Sequence, residues 1–205
     1  MLRVNTIYPA FMGEVNAFGI GVPCTFIRLA GCNLRCYSNR GFTCDTPEAL
    51  EVTHGKEMPI VTIFDYVCFY GHEVICLTGG EPLMQDCSEL LEELTASGYK
   101  VVVETNGSFP IHQYRHIRNV HFVVDYKSPS TGETKKMVDS NWAIMDEDDY
   151  LKFVIDTNED FDSMIQWVKD HEASYNGKVA AGCFWGSSMG YQELASRILR
   201  SELNT

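Results

Sequence analysis

Three of the eight cysteines, Cys32, Cys36 and Cys44, fall in the single stretch GCNLRCYSNRGFTCDT. Three thiolates leave a tetrahedral structural zinc one ligand short. On a cluster of four irons the same three leave one iron open. That iron is useful where something must bind it, as the amino and carboxylate groups of S-adenosylmethionine do. A zinc site completed by His54, or a polar loop without metal, uses the same residues.

Other residues with chemistry to offer lie elsewhere. Arg28 sits near the end of the apolar run CTFIRLAG, and a buried guanidinium needs an anion. Glu14, Glu104 or a substrate carboxylate each meets that need, the last of them bidentately. Thr78-Gly79-Gly80-Glu81-Pro82 follows another apolar run, and residues without side chains let a ligand reach backbone polar groups. An ordinary turn between strand and helix also accounts for the glycine pair.

These residues need elements to position them. The runs at 24–31, 74–80, 101–107, 121–129, 151–156 and 178–185 are short, apolar and rich in β-branched or aromatic residues. Such runs read as strands buried on both faces. Helical spacing fills the gaps: 86–97 with Asp86 and Glu89 in capping-box spacing, 160–171, 191–203, and a weaker pattern at 60–70. Strands alternating with helices give an α/β fold, a partial (β/α)6 barrel of parallel strands, as one domain over 1–205. The polar turns then gather at the C-terminal ends of the strands, where such folds place their chemistry.

Composition sets the outer bounds. The chain has 205 residues, 45% of them apolar and 21% charged, which suits a globular core. A net charge of −12 without a basic cluster argues against direct nucleic-acid binding. No apolar run is long enough for a membrane span, and 1–20 lacks the pattern of a secretory leader, so a cytoplasmic chain is expected. In a reducing compartment the cysteines are not a disulfide framework. Cys24, Cys68, Cys76 and Cys183 read as small buried hydrophobes, and Cys87 as a residue at a helix start.

GCNLRC followed by CDT, then TGGEP, ETNG and DYKSPSTGE, resembles the radical S-adenosylmethionine superfamily. FMGE, GVPCTFIRLAGCNLRC and CDT together resemble, within it, the 7-carboxy-7-deazaguanine synthase family. The likeness runs over 11–133 and more faintly onward through LKFVI and FWG. It implies a 4Fe–4S cluster on Cys32, Cys36 and Cys44, with S-adenosylmethionine and Mg²⁺ as further cofactors. The implied reaction is hydrogen abstraction from 6-carboxy-5,6,7,8-tetrahydropterin by a 5′-deoxyadenosyl radical, then ring contraction with loss of ammonia.

The resemblance also implies roles. Thr46 would ligate magnesium, a hard cation satisfied by few protein ligands and a substrate carboxylate. Thr43 and Asp45 would flank the nucleoside. Gly80 and Glu81 belong to the turn that receives the amino group of S-adenosylmethionine. Asp125, Lys127 and Ser128 would lie near its nucleoside and methionine carboxylate. Phe11, Met12, Gly13 and Glu14 form the pterin-contacting loop, with Arg28 and Thr78 as further substrate contacts; Arg28 and Glu14 are the catalytic candidates. Glu104 and Asn106 point to the same rim as supporting groups. A homodimer and a reductant such as flavodoxin or ferredoxin are implied as well.

The chain departs from the family pattern in three places. Seven residues (37–43) separate Cys36 from Cys44 where two are usual, an insertion of small entropic cost. Phe42 stands one position before the usual aromatic, and AAGCFWG lacks the family's C-terminal proline. A glycyl-radical activase would share the cluster but lack FMGE and FIRLAG. A non-catalytic iron–sulfur or zinc module would leave TGGEP and Thr46 without a role.

Overall fold

The expected strands form, and they are joined by two that local patterning hides. The computed structural model describes residues 1–38, 41, 44–184 and 186–201. Its strands are β1 (Leu2–Phe11), β2 (Pro23–Leu29), β3 (Lys56–Met58), β4 (Val74–Gly79), β5 (Lys100–Thr105), β6 (Val120–Tyr126), β7 (Tyr150–Val154) and β8 (Lys178–Gly182). They build one sheet in the order β3-β1-β2-β4-β5-β6-β7-β8. From β2 to β8 neighbours run parallel, whereas β1 is antiparallel to both β2 and β3. The order is linear with β3 and β8 at the edges, so the partial barrel stays open.

β1 escapes a sequence reading because Pro9 argues against a central strand. The structure resolves the conflict: β3 pairs only with Leu2, Arg3 and Val4, so Pro9 has an open edge on that side.

The helices are α1 (Ile60–Tyr70), α2 (Ser88–Ala96), α3 (Asn158–His171) and α4 (Tyr191–Arg200). α2 starts later than the pattern predicts. Cys87 takes the N-cap position, and the Asp86 carboxylate accepts the Ser88 N–H at 3.0 Å. The capping box lies instead on α3, where Thr157 and Asp160 exchange bonds of 3.2 and 2.9 Å. α4 stops at Arg200, with Ser201 as its cap; 202 and 203 lie outside the described residues. The β5–β6 and β6–β7 crossings carry short 3₁₀ turns in place of α-helices. Gly107 and Pro110 in the first crossing, and Pro129 and Gly132 in the second, break helical runs there.

Because side chains alternate along a strand, the sheet has two different faces. Ile27, Ile75, Leu77, Val101, Val103 and Phe122 face outward into the main core with Ile63, Leu90, Leu91, Leu94, Phe161 and Met164 of the helices. The inner face begins apolar, with Cys24, Val74, Cys76, Val102 and Val123 in a second cluster. One step further along, the same face turns polar at Arg28, Thr78, Glu104, Asp125 and Lys152. Register sets Arg28 beside Thr78, Glu104 beside Val123, and Asp125 beside Lys152. The inner cluster is closed by 12–22, whose Met12 side chain is only 1% exposed and packs into it. Asn16 holds that turn, accepting the Phe18 and Gly19 N–H groups at 2.8 and 3.0 Å. Of the cysteines expected to be buried, Cys24, Cys76 and Cys183 are. Cys68 is exposed on α1, beside Tyr99 Oη. No described helix is long and apolar enough to cross a membrane.

Met12→Ala removes the plug of the inner cluster. It should cost about 2–5 kcal/mol in chemical denaturation; a loss under roughly half a kcal/mol would mean that 12–22 does not close the barrel floor.

Candidate active site

The polar part of the inner face opens into a cavity of about 520 Å³, and Cys32, Cys36 and Cys44 all line it. The start of the cysteine loop is fastened to the segment that follows its end. Gly31 and Cys32 donate backbone N–H groups to the Ala49 and Leu50 carbonyls at 2.8 and 2.9 Å. The Glu81 N–H reaches the Gly31 carbonyl at 2.8 Å. This crossing explains the glycine of the TGGEP turn: a Cβ on Gly80 would stand 2.5 Å from both the Ala49 and Gly31 carbonyl oxygens and 2.8 Å from Cys32 Cβ.

Glu81 itself is fully buried behind that turn and does not line the cavity. Its carboxylate accepts the Leu83 N–H at 3.0 Å, the Thr105 hydroxyl at 2.7 Å and the Asn106 N–H at 2.6 Å. It therefore welds the end of β4 to the end of β5. Burial pushes its carboxyl up to about 7, against those three bonds.

Two thiols already receive donors. Asn106 Nδ2 points at Cys32 Sγ at 3.7 Å, and the Thr46 N–H at Cys44 Sγ at 3.5 Å. Burial raises the thiol pKa of both Cys36 and Cys44. A metal must displace those protons to bind. His54 does not line the cavity; its Nδ1 lies 3.1 Å from the Glu48 carbonyl. The zinc reading thereby loses the fourth ligand it named.

Deeper in, charges alternate. Glu14 pairs with Lys152 at 2.7 Å, Lys152 approaches Asp125 at 3.8 Å, and Asp125 pairs with Lys127 at 2.9 Å. Burial works against charge on both partners of the last pair. The Lys127 and Lys152 ammonium groups still hold Asp125 below its usual range, and Asp125 holds Lys127 above its own. Arg28 stands outside this chain. Among the described residues it forms no ion pair, and its guanidinium donates to Tyr8 Oη at 3.1 Å. Neither Glu14 nor Glu104 takes it: Glu14 is held by Lys152, and burial raises the Glu104 carboxyl.

The structure brings Phe11, Gly13, Glu14, Arg28, Asp45, Thr46, Thr78, Gly80, Asp125 and Lys127 around the one cavity. Phe11 is 68% exposed at its edge. Met12 belongs to the floor cluster and does not line the cavity. Ser128 is buried and does not line the cavity, and its Oγ is without a partner among the described residues. Thr43 lies outside the described residues, as does Phe42. Lys152 and Tyr8 also line the cavity and were not anticipated. Lys152 had a readable signal, a cation inside the apolar run LKFVI; Tyr8 had none, because β1 was hidden.

No family model matches the chain. It is 33% identical over 173 residues to 7-carboxy-7-deazaguanine synthase of Koribacter versatilis, covering 83% of this chain and 72% of the relative. It is 30% identical over 204 residues to the Thermoplasma acidophilum protein of the same name, covering 99% and 91%. The chain belongs to the 7-carboxy-7-deazaguanine synthase family. The crystal structure of QueE from Escherichia coli shares the fold at a TM-score of 0.74 and 18% identity, over 97% of this chain and 90% of that one.

The family's cofactors fit the residues present. Three thiols in one cavity, N–H donors aimed at two of them and a glycine turn against Cys32 suit a three-cysteine cluster with an open iron. Asp45 and Thr46 offer hard oxygens beside it, as Mg²⁺ requires.

Glu81 gives the fold a pH signature. Its folded pKa lies above the usual carboxylate value of 4.5, so between there and about 7 the folded state binds the extra proton. Its contribution should favour folding below that window and be lost as pH rises through about 7. Glu81→Gln should flatten that part of the stability–pH curve in urea titrations. An unchanged slope would mean that Glu81 is ionised throughout.

Proposed function

We propose that the chain is a radical S-adenosylmethionine lyase that converts 6-carboxy-5,6,7,8-tetrahydropterin to 7-carboxy-7-deazaguanine with loss of ammonia. One observation carries the reading: three cysteines and an arginine without an ion partner among the described residues line the same cavity in a chain of this family. When bound, the cluster, S-adenosylmethionine and Mg²⁺ supply an electron, a hydrogen-abstracting 5′-deoxyadenosyl radical and a counter-charge for the substrate.

The chain's own groups do the holding. Cys32, Cys36 and Cys44 are assigned to the cluster, and Gly80 leaves backbone polar groups open for the amino group of S-adenosylmethionine. Lys127, paired with Asp125, is assigned to the methionine carboxylate. Ser128, with its unpartnered Oγ, stands next to it in sequence. Thr46 is assigned to magnesium, with Asp45 beside it. Arg28 takes the pterin carboxylate, because a guanidinium without an ion partner in a partly buried wall is satisfied best by a bidentate anion. Glu14, held by Lys152, presents acceptor oxygens to the guanidine-like edge of the pterin, and Thr78 adds a contact at the end of β4. Thr43 keeps its assigned place beside the nucleoside on the resemblance alone.

Four finer readings are included in the proposal, the homodimer and the reductant on the same resemblance. They are one radical S-adenosylmethionine domain over 1–205, a homodimer, a cytoplasmic location, and a flavodoxin- or ferredoxin-type reductant.

The test is anaerobic reconstitution with iron and sulfide, reduction, and incubation with S-adenosylmethionine and the carboxylated pterin. The product 7-carboxy-7-deazaguanine is expected; absence of 5′-deoxyadenosine would sink the reading. Deoxyadenosine without deazapurine would keep the cofactor chemistry and reject the substrate. Cys44→Ala should abolish the EPR signal of the reduced cluster. Arg28→Ala should raise KM for the pterin by roughly tenfold or more, the worth of a charged hydrogen-bonded pair. Iron content should stay intact; a fall in it would make Arg28 a structural residue.

A further inference from the structure

Seven residues separate Cys36 from Cys44, which poses a physical question: what holds Cys36 from outside that stretch? The answer on the page lies on the far side of the cavity, in the segment after β6. The backbone N–H of Arg35 donates to Glu133 Oε1 at 2.7 Å, and that of Tyr37 donates to the Thr131 carbonyl at 3.1 Å. Cys36 is thus bracketed, one residue to either side, by bonds to a single short segment.

That segment is held by bonds of its own. The Thr131 hydroxyl donates to the Ser128 carbonyl at 2.6 Å and accepts the Glu133 N–H at 3.1 Å. The Ser130 N–H is held by the Asp160 carboxylate of α3 at 2.8 Å. Glu133 is 9% exposed, and its second oxygen pairs with Lys136 at 2.8 Å. On the other side of the bracket Tyr37 turns with φ 59°, a left-handed conformation costly for a bulky residue, and its ring meets Phe184 at 4.9 Å. Strain of this kind persists where the surroundings impose it.

We infer that Glu133 is a positioning residue that sets Cys36 for cluster binding, with the Tyr37 turn as its second anchor. Cys32 is fastened to Leu50. Cys44 leads into the turn closed by the Ala49 N–H on the Thr46 carbonyl at 3.1 Å. Cys32 and Cys44 are thus tied to the 46–50 segment, and Cys36 to the segment after β6. The inference rests on the assignment of the three cysteines to the cluster.

The test measures iron release from the reconstituted cluster to a ferrous chelator, with the EPR line shape of the reduced cluster as a second readout. Glu133→Ala should speed release about tenfold, since the part-buried Arg35 N–H loses a charged acceptor, and should alter the line shape. Glu133→Gln keeps an acceptor at the same reach and should return release to within about twofold of the parent. Glu133→Asp, gentler on folding, keeps the charge but shortens the reach and should behave like Glu133→Ala. Lys136→Ala should leave release near the parent rate. Parent-like release in Glu133→Ala or Glu133→Asp would overturn the inference. So would Glu133→Gln as fast as Glu133→Ala, or Lys136→Ala as fast as either, because the ion pair would then be the cause. A parent protein that assembles no cluster would instead reject the cysteine assignment beneath it.

Discussion

A charge on the inner wall of a barrel must meet its opposite or be hydrated. The run from Glu14 through Lys152 and Asp125 to Lys127 meets that demand for four side chains by alternation of sign. It fixes the ionisation of the wall and leaves one cation over. Arg28, with only a tyrosine hydroxyl for company among the described residues, then makes the cavity attractive to an anion. Were Glu14 free to swing to Arg28, the wall would be self-satisfied and would gain little from a ligand carboxylate. The Lys152–Glu14 pair thus does two things: it neutralises a lysine in the wall and keeps Arg28 open.

The rest of the fold serves that wall. Apolar residues lower on the same strands, closed by Met12, make a dry floor beneath the charges. The outer face buries its own apolar set under the helices, so the inner face is free to carry chemistry. At the rim, the buried Glu81 carboxylate joins two strand ends and brings Asn106 to Cys32. The site is shared among loops, but each loop is tied to the sheet or to another loop by bonds that need no ligand.

Much of this was legible in the residues. The six parallel strands announce themselves as apolar runs, because a strand covered on both faces has no polar side to blur it. Arg28 was legible for the same reason, as a cation where the pattern wants none, and Lys152 carries the same signal inside LKFVI. What stayed hidden depends on distance in sequence. Pro9 makes β1 look unlike a strand until its short edge partner β3 is seen. Met12 reads as a ligand contact within FMGE, yet the chain reversal at Asn16 turns it into the floor. Glu81 reads as part of the turn that meets S-adenosylmethionine, whereas its partners Thr105 and Asn106 belong to another strand end. Local pattern reports which residues are unusual. It does not report which of them already have a partner.

The claim that Arg28 waits for the substrate's carboxylate is tested most directly by comparing two ligands. Equilibrium binding of 6-carboxy-5,6,7,8-tetrahydropterin and of tetrahydropterin without the carboxylate would be measured on cluster-loaded protein and on its Arg28→Ala variant. The account predicts that the parent protein favours the carboxylated ligand by about tenfold or more, and that the variant binds both alike. Equal binding of the two ligands by the parent protein, or a preference that survives in Arg28→Ala, would contradict it.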